Sequence, residues 1–526
     1  IRNYMKTKTF KFLIIIFIIS IFVKTDYRLD TGIYCCKDDH DYYAHAETLI
    51  IDFDFDYSNQ FLGNEFKRFN YNNKPAPSAF FGSGLLSAPF LFIGNLFDKL
   101  FNSSDLFNYK LIFYSFSSVF YLIFTCILWN KIARELGIKI NPLTVYIFIL
   151  GSGVGYYAFE RYSMSHVYEV FTLSLVIYFS IMYTKSNSNI YSFAIPLSVC
   201  LSLVTRWVNL YTLIIPLIII KTSDVKKINL RSDKLFIFSS IISIGLFLLH
   251  SYLIYGVITI NPEFVYNTSG TMERYIAESS SVFSFLSSNF KNLLILLFSQ
   301  EFGLFWFAPI IFYGFYISFK ETLNIKNTKS TKISYLLILI SFLQIFALVM
   351  IWRSTGSSYG FRYTLNLAPL GLLVYLLNIN NSKIHQRYLI IFSIFSIIST
   401  IFFETTKSTQ LSLEYVENAF GKITKFTQPN YLYGLLESIL EFQSYLKIFA
   451  QSILGFILFY LILQFLNISE FNEFMSKLSL PIYNEDIQIL LDKASAIELH
   501  KIFILILLLS ISTFLVFSDL KERYNE

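Results

Sequence analysis

Apolar runs recur along most of the chain, separated by shorter polar loops, and this pattern constrains the fold more than any other feature. Hydrophobic residue types make up 54% of the 526 residues and charged types 15%, against roughly a quarter charged in an ordinary soluble domain. A soluble chain of this length cannot bury so much apolar surface, because its area grows too quickly relative to its core. The composition also excludes intrinsic disorder and a collagen-like repeat. The sequence therefore predicts an all-α polytopic membrane protein.

The predicted spans begin with residues 12–23, which follow three lysines. This run would be an uncleaved signal anchor, since no small-residue cleavage pair follows it. The stretch 80–97 contains Pro89 and several small residues, so we interpret it as re-entrant or interfacial. A bilayer needs about 20 apolar residues, and the further candidates are 108–129, 143–158, 167–183, 191–204, 208–220, 235–256, 292–319, 333–352, 363–378, 388–403, 447–466 and 501–517. Together they predict about 13 transmembrane helices.

The distribution of lysine and arginine predicts the orientation. With residues 80–97 outside, the basic residues fall in cytoplasmic loops around 131–139, 221–234 and 320–332. Residues 24–79 carry ten acidic and six basic side chains and form the first outer loop.

The first polar cluster lies in that loop. It places Asp38 and Asp39 just before Tyr42 and Tyr43. The spacing predicts a short amphipathic helix over residues 40–51 that lies on the membrane, with both aspartates at its N-terminus, where backbone N–H groups favour negative charge. The alternative is a solvated acidic loop.

Three further polar clusters are predicted on the same face. Residues 159–166 contribute Glu160 and His166, for which the alternatives are an interfacial ion pair and a helix cap. The other two clusters contribute arginines that run against the positive-inside trend, namely Arg206, Arg353 and Arg362. Arginine presents a planar donor fork suited to phosphate. Pairing of these arginines with the outer acids, or snorkelling of their side chains, would also explain why they occur on this face.

Carboxylates beside arginines at the outer face of a helical bundle suggest a specific chemistry. A carboxylate would take the proton of an acceptor hydroxyl as that hydroxyl attacks the anomeric carbon of a sugar carried on polyprenyl phosphate. Arginine would stabilise the departing phosphate, and this single displacement inverts the sugar carbon. The candidate residues are Asp38 and Asp39 as base, Arg206, Arg353 and Arg362 for the donor phosphate, and Tyr42, Tyr43, Glu160 and His166 for the sugar or acceptor.

The stretch Asp38-Asp39-His40-Asp41-Tyr42-Tyr43-Ala44-His45-Ala46 is similar to the Asp-Glu-x-x-Tyr-x-x-x-Ala signature of the GT-C superfamily of polyprenyl-phosphate-sugar-dependent glycosyltransferases. The chain resembles bacterial relatives of its protein O-mannosyltransferase and aminoarabinose transferase group over most of residues 10–380. The resemblance implies a GT-C fold, Asp38 as the leading base with Asp39 beside it, and no cofactor beyond the lipid-linked donor. Many relatives carry an acid near the start of a helix where this chain has His166, so Glu160 and His166 are alternatives for that role. A divalent metal stays open, because carboxylates could supply oxygen ligands.

We therefore expect a multi-pass glycosyltransferase of the inner or plasma membrane with its active site on the extracytoplasmic face. Residues 1–403 would form the catalytic module, with 24–107 as its first outer loop. Residues 404–526 would add an outer loop, two spans and a cytoplasmic interfacial segment. The partners would be a polyprenyl-phosphate sugar and an extracytoplasmic glycan, lipid or protein acceptor, without nucleic acid. The alternatives are a lipid-linked glycan ligase or polymerase of the O-antigen type, a lipid or sugar transporter, and a scaffold without a site.

Overall fold

A computed structural model of the protein describes residues 37–61, 69–101, 109–159, 161–186, 188–221, 233–260, 304–314, 316, 339–340, 362–378, 389–394 and 396–397. These residues are mostly helical, and within them one isolated antiparallel bridge joins Phe69 and Pro75. Three described helices are long and apolar enough to cross a membrane. The predicted anchor at 12–23 and the whole of 404–526 lie outside the described residues, and the number of spans stays a prediction.

The helices, numbered in chain order, are α1 (Lys37–Glu47), α2 (Gly82–Phe101), α3 (Tyr109–Glu135), α4 (Pro142–Ile149), α5 (Gly155–Phe159), α6 (His166–Ser186), α7 (Asn189–Thr205), α8 (Ile215–Lys221), α9 (Lys234–Tyr255), α10 (Leu304–Phe307) and α11 (Ala368–Leu377). Two π-helical turns cover Thr48–Asp52 and Leu150–Val154, and two 3-10 helices cover Trp207–Leu213 and Arg362–Leu367. The candidates able to span are α3, α6 and α9, which coincide with three of the apolar segments predicted from the sequence.

Helix α6 lies at the centre of the described bundle. Most of its side chains are buried, and it packs against α3 and α7. Two of its serine hydroxyls are satisfied within the helix, since Ser174 and Ser180 donate to carbonyls one turn earlier. The Trp129 indole N–H of α3 donates to Ser174 Oγ over 2.9 Å. These bonds let small polar side chains occupy a helix surrounded by apolar neighbours.

Helix α1 differs from the predicted amphipathic surface helix. It begins at Lys37, so both aspartates fall in its first turn, but the side chains from 39 to 46 are all buried. The amphipathic interpretation was therefore wrong. The buried polar side chains of α1 face protein partners rather than water, whereas Asp38 is 45% exposed. Burial of Asp39, Asp41 and His45 is offset by hydrogen bonds with the turn before α6 and the loop before α2.

Helix α2 covers most of residues 80–97, which we interpreted as re-entrant or interfacial, and that placement relative to the membrane stays a prediction. It continues without a break from Gly82 to Phe101 with Pro89 inside it. Gly84 and Gly94 are packing sites, because a Cβ at Gly84 would collide with the Cβ of His45, and one at Gly94 would lie 2.5 Å from the Tyr109 carbonyl oxygen. Close approach of neighbouring segments explains these two glycines.

The predicted span 143–158 is divided into two short helices. The π-helical turn Leu150–Val154 separates α4 from α5, and Gly153 within it has φ of 82°. This left-handed conformation is readily available only to glycine. The turn places Tyr157 of α5 against His166, with ring centroids 4.4 Å apart.

Candidate active site

Asp38 and Arg362 form an ion pair at the edge of the bundle. Asp38 Oδ2 lies 3.2 Å from Arg362 Nη2, and the Asp38 side chain is 45% exposed while that of Arg362 is 10% exposed. Arg362 opens the 3-10 helix Arg362–Leu367, and its Nη1 lies 3.8 Å from Met164 Sδ. A carboxylate that solvent can reach thus lies next to a guanidinium that solvent barely reaches.

Asp39, the next residue, has different surroundings. Its side chain is 0% exposed, and Oδ2 accepts a hydrogen bond from Arg161 Nη2 over 3.0 Å. The Ser163 hydroxyl donates to its backbone carbonyl over 2.7 Å. This pair joins α1 to the turn before α6. Removing one partner of such a buried pair costs about 3–5 kcal/mol, whereas a solvated pair contributes about 0–1 kcal/mol.

A second arginine is held by α6. Arg206 lies between α7 and the following 3-10 helix in extended backbone, and its Nη1 is 3.0 Å from Glu169 Oε1 and 3.2 Å from His166 Nδ1. The Ser165 hydroxyl donates to the same Glu169 oxygen over 2.7 Å. The other oxygen, Glu169 Oε2, is buried and has no hydrogen-bond partner within the part of the chain that the structure describes.

The two arginines share one aromatic ring. The guanidinium carbons of Arg206 and Arg362 each lie 5.0 Å from the centroid of the Tyr363 ring. Arg362 Nη2 also donates to the Tyr363 hydroxyl over 3.2 Å. Both guanidinium groups therefore make cation–π contacts with the same ring, and arginine donors in one cluster are suited to binding an anion.

Tyr42 and Tyr43 point to different parts of the molecule. The Tyr42 hydroxyl donates to Ser165 Oγ over 3.1 Å, within the polar cluster, and burial raises its pKa, so the phenol stays neutral. Tyr43 packs edge-on against Tyr114 at 5.0 Å and donates to Glu47 Oε1 over 3.3 Å. Tyr42 therefore adjoins the arginines, and Tyr43 belongs to an apolar cluster that includes side chains of α2 and α3.

Helix α1 is fixed in place by contacts with the loop that precedes α2. Asp41 Oδ2 accepts from the Ser78 backbone N–H over 2.9 Å and from its hydroxyl over 2.6 Å. His45 lies with Nδ1 2.8 Å from the Tyr57 hydroxyl and Nε2 2.8 Å from the Ala79 carbonyl. Because a carbonyl only accepts, Nε2 carries the proton. Burial lowers the pKa of His45 to about 3, so the ring is neutral at physiological pH.

The structure brings most of the predicted residues together. Asp38, Tyr42, His166, Arg206 and Arg362 lie in one connected polar cluster. Asp39 adjoins it through its own buried pair, and Tyr43 lies apart. Glu160 and Arg353 fall outside the described residues. The functional roles of all of them stay predictions.

Sequence reasoning missed three members of this cluster, namely Glu169, Tyr363 and Arg161 as a partner of Asp39. A signal was present for Glu169, since it is an acid in the first turn of the apolar helix α6. Ionisable residues in such helices are costly and usually functional. Glu169 is also an acid near the start of the helix where the resemblance led us to weigh only Glu160 and His166.

Metal-ligand groups and cavities are the other features that could form a ligand site. Among the described residues, no group of three or more His, Cys, Asp or Glu side chains has a metal-binding arrangement. A cavity of about 140 Å³ lies between Phe305, Phe312 and Phe392, and the described residues that line it include no Asp, Glu, His, Lys or Arg. The cavity is thus separate from the polar cluster.

Comparison with known proteins leaves the family open. The sequence matches no family model and no curated protein. A solved structure that it is similar to is the archaeal oligosaccharyltransferase AglB from Archaeoglobus fulgidus in complex with an inhibitory peptide and a dolichol-phosphate. The alignment has 10% identity and a TM-score of 0.41 and covers 81% of this chain. The chain spans 61% of the length of that structure, and a likeness of this degree is too weak to assign an activity.

Proposed function

We propose that the protein is an integral membrane glycosyltransferase that moves a single sugar from a polyprenyl-phosphate carrier to an acceptor hydroxyl outside the cytoplasm. The observation that carries this proposal is the pairing of a half-exposed carboxylate, Asp38, with the buried guanidinium of Arg362, 3.2 Å away. Arg206 also contacts the Tyr363 ring, with its guanidinium carbon 5.0 Å from the ring centroid. A base that solvent can reach and two cations suited to phosphate therefore occur in one cluster of a largely apolar bundle.

The reaction needs one base and one anion-binding group. Asp38 takes the proton of the acceptor hydroxyl as the acceptor oxygen forms a bond to the anomeric carbon. The bond between that carbon and the phosphate oxygen breaks, and the phosphate leaves with the electron pair. Arg362 and Arg206 stabilise the charge that grows on it. Attack opposite the leaving group inverts the configuration of the sugar carbon.

Asp38 is preferred to Asp39 as the base because of accessibility. The Asp39 side chain is 0% exposed and its Oδ2 is engaged by Arg161, so an acceptor hydroxyl has no path to it in this conformation. Asp39 instead helps to hold the first turn of α1 in place. A base must come within hydrogen-bond reach of the proton that it removes.

Glu169 and Ser165 are positioning residues in this proposal. Glu169 Oε1 holds Arg206 Nη1 over 3.0 Å, and the Ser165 hydroxyl binds the same oxygen. A guanidinium whose orientation is fixed in advance binds phosphate at a smaller entropic cost. His166 contacts Arg206 from the same helical turn, and its role in positioning sugar or acceptor is part of the proposal, as is that of Glu160.

The test is an assay of the purified protein with a panel of polyprenyl-phosphate sugars and crude envelope extract as acceptor. We expect turnover of one donor with release of polyprenyl phosphate. In Asp38→Asn, turnover should fall by about 10²–10⁴-fold, the usual contribution of a general base. Asp233→Asn is the matched control, because Asp233 accepts from the Tyr183 hydroxyl at the other end of α6.

Two results would contradict the proposal. Full turnover by correctly folded Asp38→Asn would remove the assigned base. No turnover of any donor by the folded wild-type protein would favour the glycan ligase or transporter interpretations, which a flux assay in proteoliposomes would then separate.

A further inference from the structure

We propose that Asp38 occupies the phosphate-binding position of Arg362 while the site is empty, so that the donor phosphate must displace the carboxylate and thereby releases the base. This inference rests on the proposed function. It assigns Asp38 a second role in addition to that of general base. In this role Asp38 competes with the donor phosphate for Arg362.

The first support is that both partners already form an ion pair. Arg362 Nη2 lies 3.2 Å from Asp38 Oδ2, and the same nitrogen lies 3.2 Å from the Tyr363 hydroxyl. A phosphate oxygen approaching Nη2 would meet the Asp38 carboxylate at that position. Nη2 carries two N–H groups, which bind Asp38 and the Tyr363 hydroxyl. A phosphate oxygen that binds Nη2 must therefore displace one of them, and it repels the like-charged carboxylate.

The second support is that Asp38 is the partner able to leave. Its side chain is 45% exposed, and solvent can take over the hydrogen bonds that it gives up. Arg362 is buried and held against Tyr363. In the neighbouring pair, Asp39 and Arg161 are 0% and 12% exposed, so that pair has no comparable access to solvent. Of the two carboxylates of this dipeptide, Asp38 is therefore the exchangeable one.

The third support is chemical. A carboxylate bound to a guanidinium has part of its negative charge neutralised and is a weaker proton acceptor. Transfer of Arg362 from Asp38 to the phosphate removes that neutralisation and makes the carboxylate a stronger acceptor for the proton of the acceptor hydroxyl. Binding of the donor thus precedes activation of the base.

The test measures binding without catalysis. Farnesyl phosphate is titrated into the full-length protein in detergent, and the dissociation constant is compared among variants. If Asp38 competes for Arg362, then Asp38→Asn and Asp38→Ala should bind farnesyl phosphate about fivefold more tightly than wild type, the ratio that corresponds to one partly solvated ion pair. Arg362→Gln should bind it more weakly. Two substitutions at Asp38 keep the test valid if one of them does not fold.

Two controls separate competition from a general change in the site. Farnesol has the same chain without the anion, and its affinity should not change in Asp38→Asn. Asp233→Asn makes the same chemical change near the far end of α6 and should bind farnesyl phosphate as wild type does.

The outcomes distinguish the two proposals. If Arg362→Gln weakens binding but both Asp38 variants bind farnesyl phosphate no more tightly than wild type, displacement is wrong and the proposed function stands. If wild type and Arg362→Gln bind farnesyl phosphate equally, the assigned phosphate site itself is wrong. Tighter binding of farnesol in Asp38→Asn would also overturn displacement, since it would show an effect on the chain and not on the anion.

Discussion

Asp38 and Asp39 are adjacent in the sequence but have opposite environments. One is 45% exposed and the other 0% exposed, and each is paired with a different arginine. The contrast arises because successive side chains of α1 point in directions about 100° apart, so one faces the edge of the bundle and the other its interior. Proximity in the sequence therefore does not make the two carboxylates equivalent.

The two ion pairs should respond differently when the arginine is replaced by methionine. Arg161→Met leaves the buried Asp39 without its guanidinium and should destabilise the protein by about 3–5 kcal/mol. Arg362→Met leaves a carboxylate that solvent can reach and should cost about 1 kcal/mol or less. Thermal unfolding in detergent measures both, and equal destabilisation by the two substitutions would show that Asp38 is also a buried structural partner.

The break between α4 and α5 shows how one element positions the cluster. Residues 143–158 have the composition of a single span, but Gly153 with φ of 82° turns the chain. Helix α5 then places Tyr157 against His166, next to Arg206. Helices interrupted at membrane depth are tolerated where protein surrounds the irregular backbone, and the side chains from 151 to 158 are all buried.

Gly153→Ala should destabilise the protein by about 1–2 kcal/mol, because a side chain disfavours the left-handed conformation. Gly245→Ala in α9 is the matched control. A Cβ there meets nothing within 4 Å among the described atoms, so alanine should be neutral or stabilise by up to about 1 kcal/mol. Thermal unfolding of both variants is the measurement. A neutral Gly153→Ala would mean that the turn does not depend on glycine.

The polar cluster as a whole is assembled from distant parts of the chain. Arg362 and Asp38 are separated by 324 positions, and Arg161 and Asp39 by 122. Among the described residues, the carboxylates Asp38, Asp39 and Glu169 pair with Arg362, Arg161 and Arg206, respectively. Such pairing offsets part of the cost of removing these charges from water, and it explains how so many ionisable groups occur in a largely apolar chain.

The orientation of the molecule is testable at its two ends. Tyr71 is 70% exposed, and its backbone N–H donates to the Tyr255 carbonyl at the C-terminus of α9. Ile190 is 68% exposed and lies near the N-terminal end of α9. Helix α9 has 22 residues and is about 33 Å long. In a chain whose four native cysteines are replaced, we expect Tyr71→Cys to react with a membrane-impermeant maleimide on intact cells. Ile190→Cys should react only after permeabilisation, and the reverse pattern would invert the predicted topology.

The sequence by itself determined the helical, membrane-type class of the protein and the positions of several helices. Composition and long apolar runs indicate this class without knowledge of tertiary contacts, because a helix in a bilayer or a bundle core needs apolar side chains in every turn. Helices α3, α6 and α9 were therefore predictable. So were Asp38, Arg206 and Arg362 as candidates, since charges in unusual places are visible without a structure.

The tertiary structure alone decided which charges pair, which are buried and which face solvent. Periodicity predicted that α1 would be a surface helix, but loops remote from it supply the partners that allow its burial. In the sequence, Glu169 is a single acid in an apolar run. The structure shows that it pairs with Arg206, 3.0 Å away. Burial and pairing depend on segments far apart in the chain, and no local pattern encodes the path that brings them together.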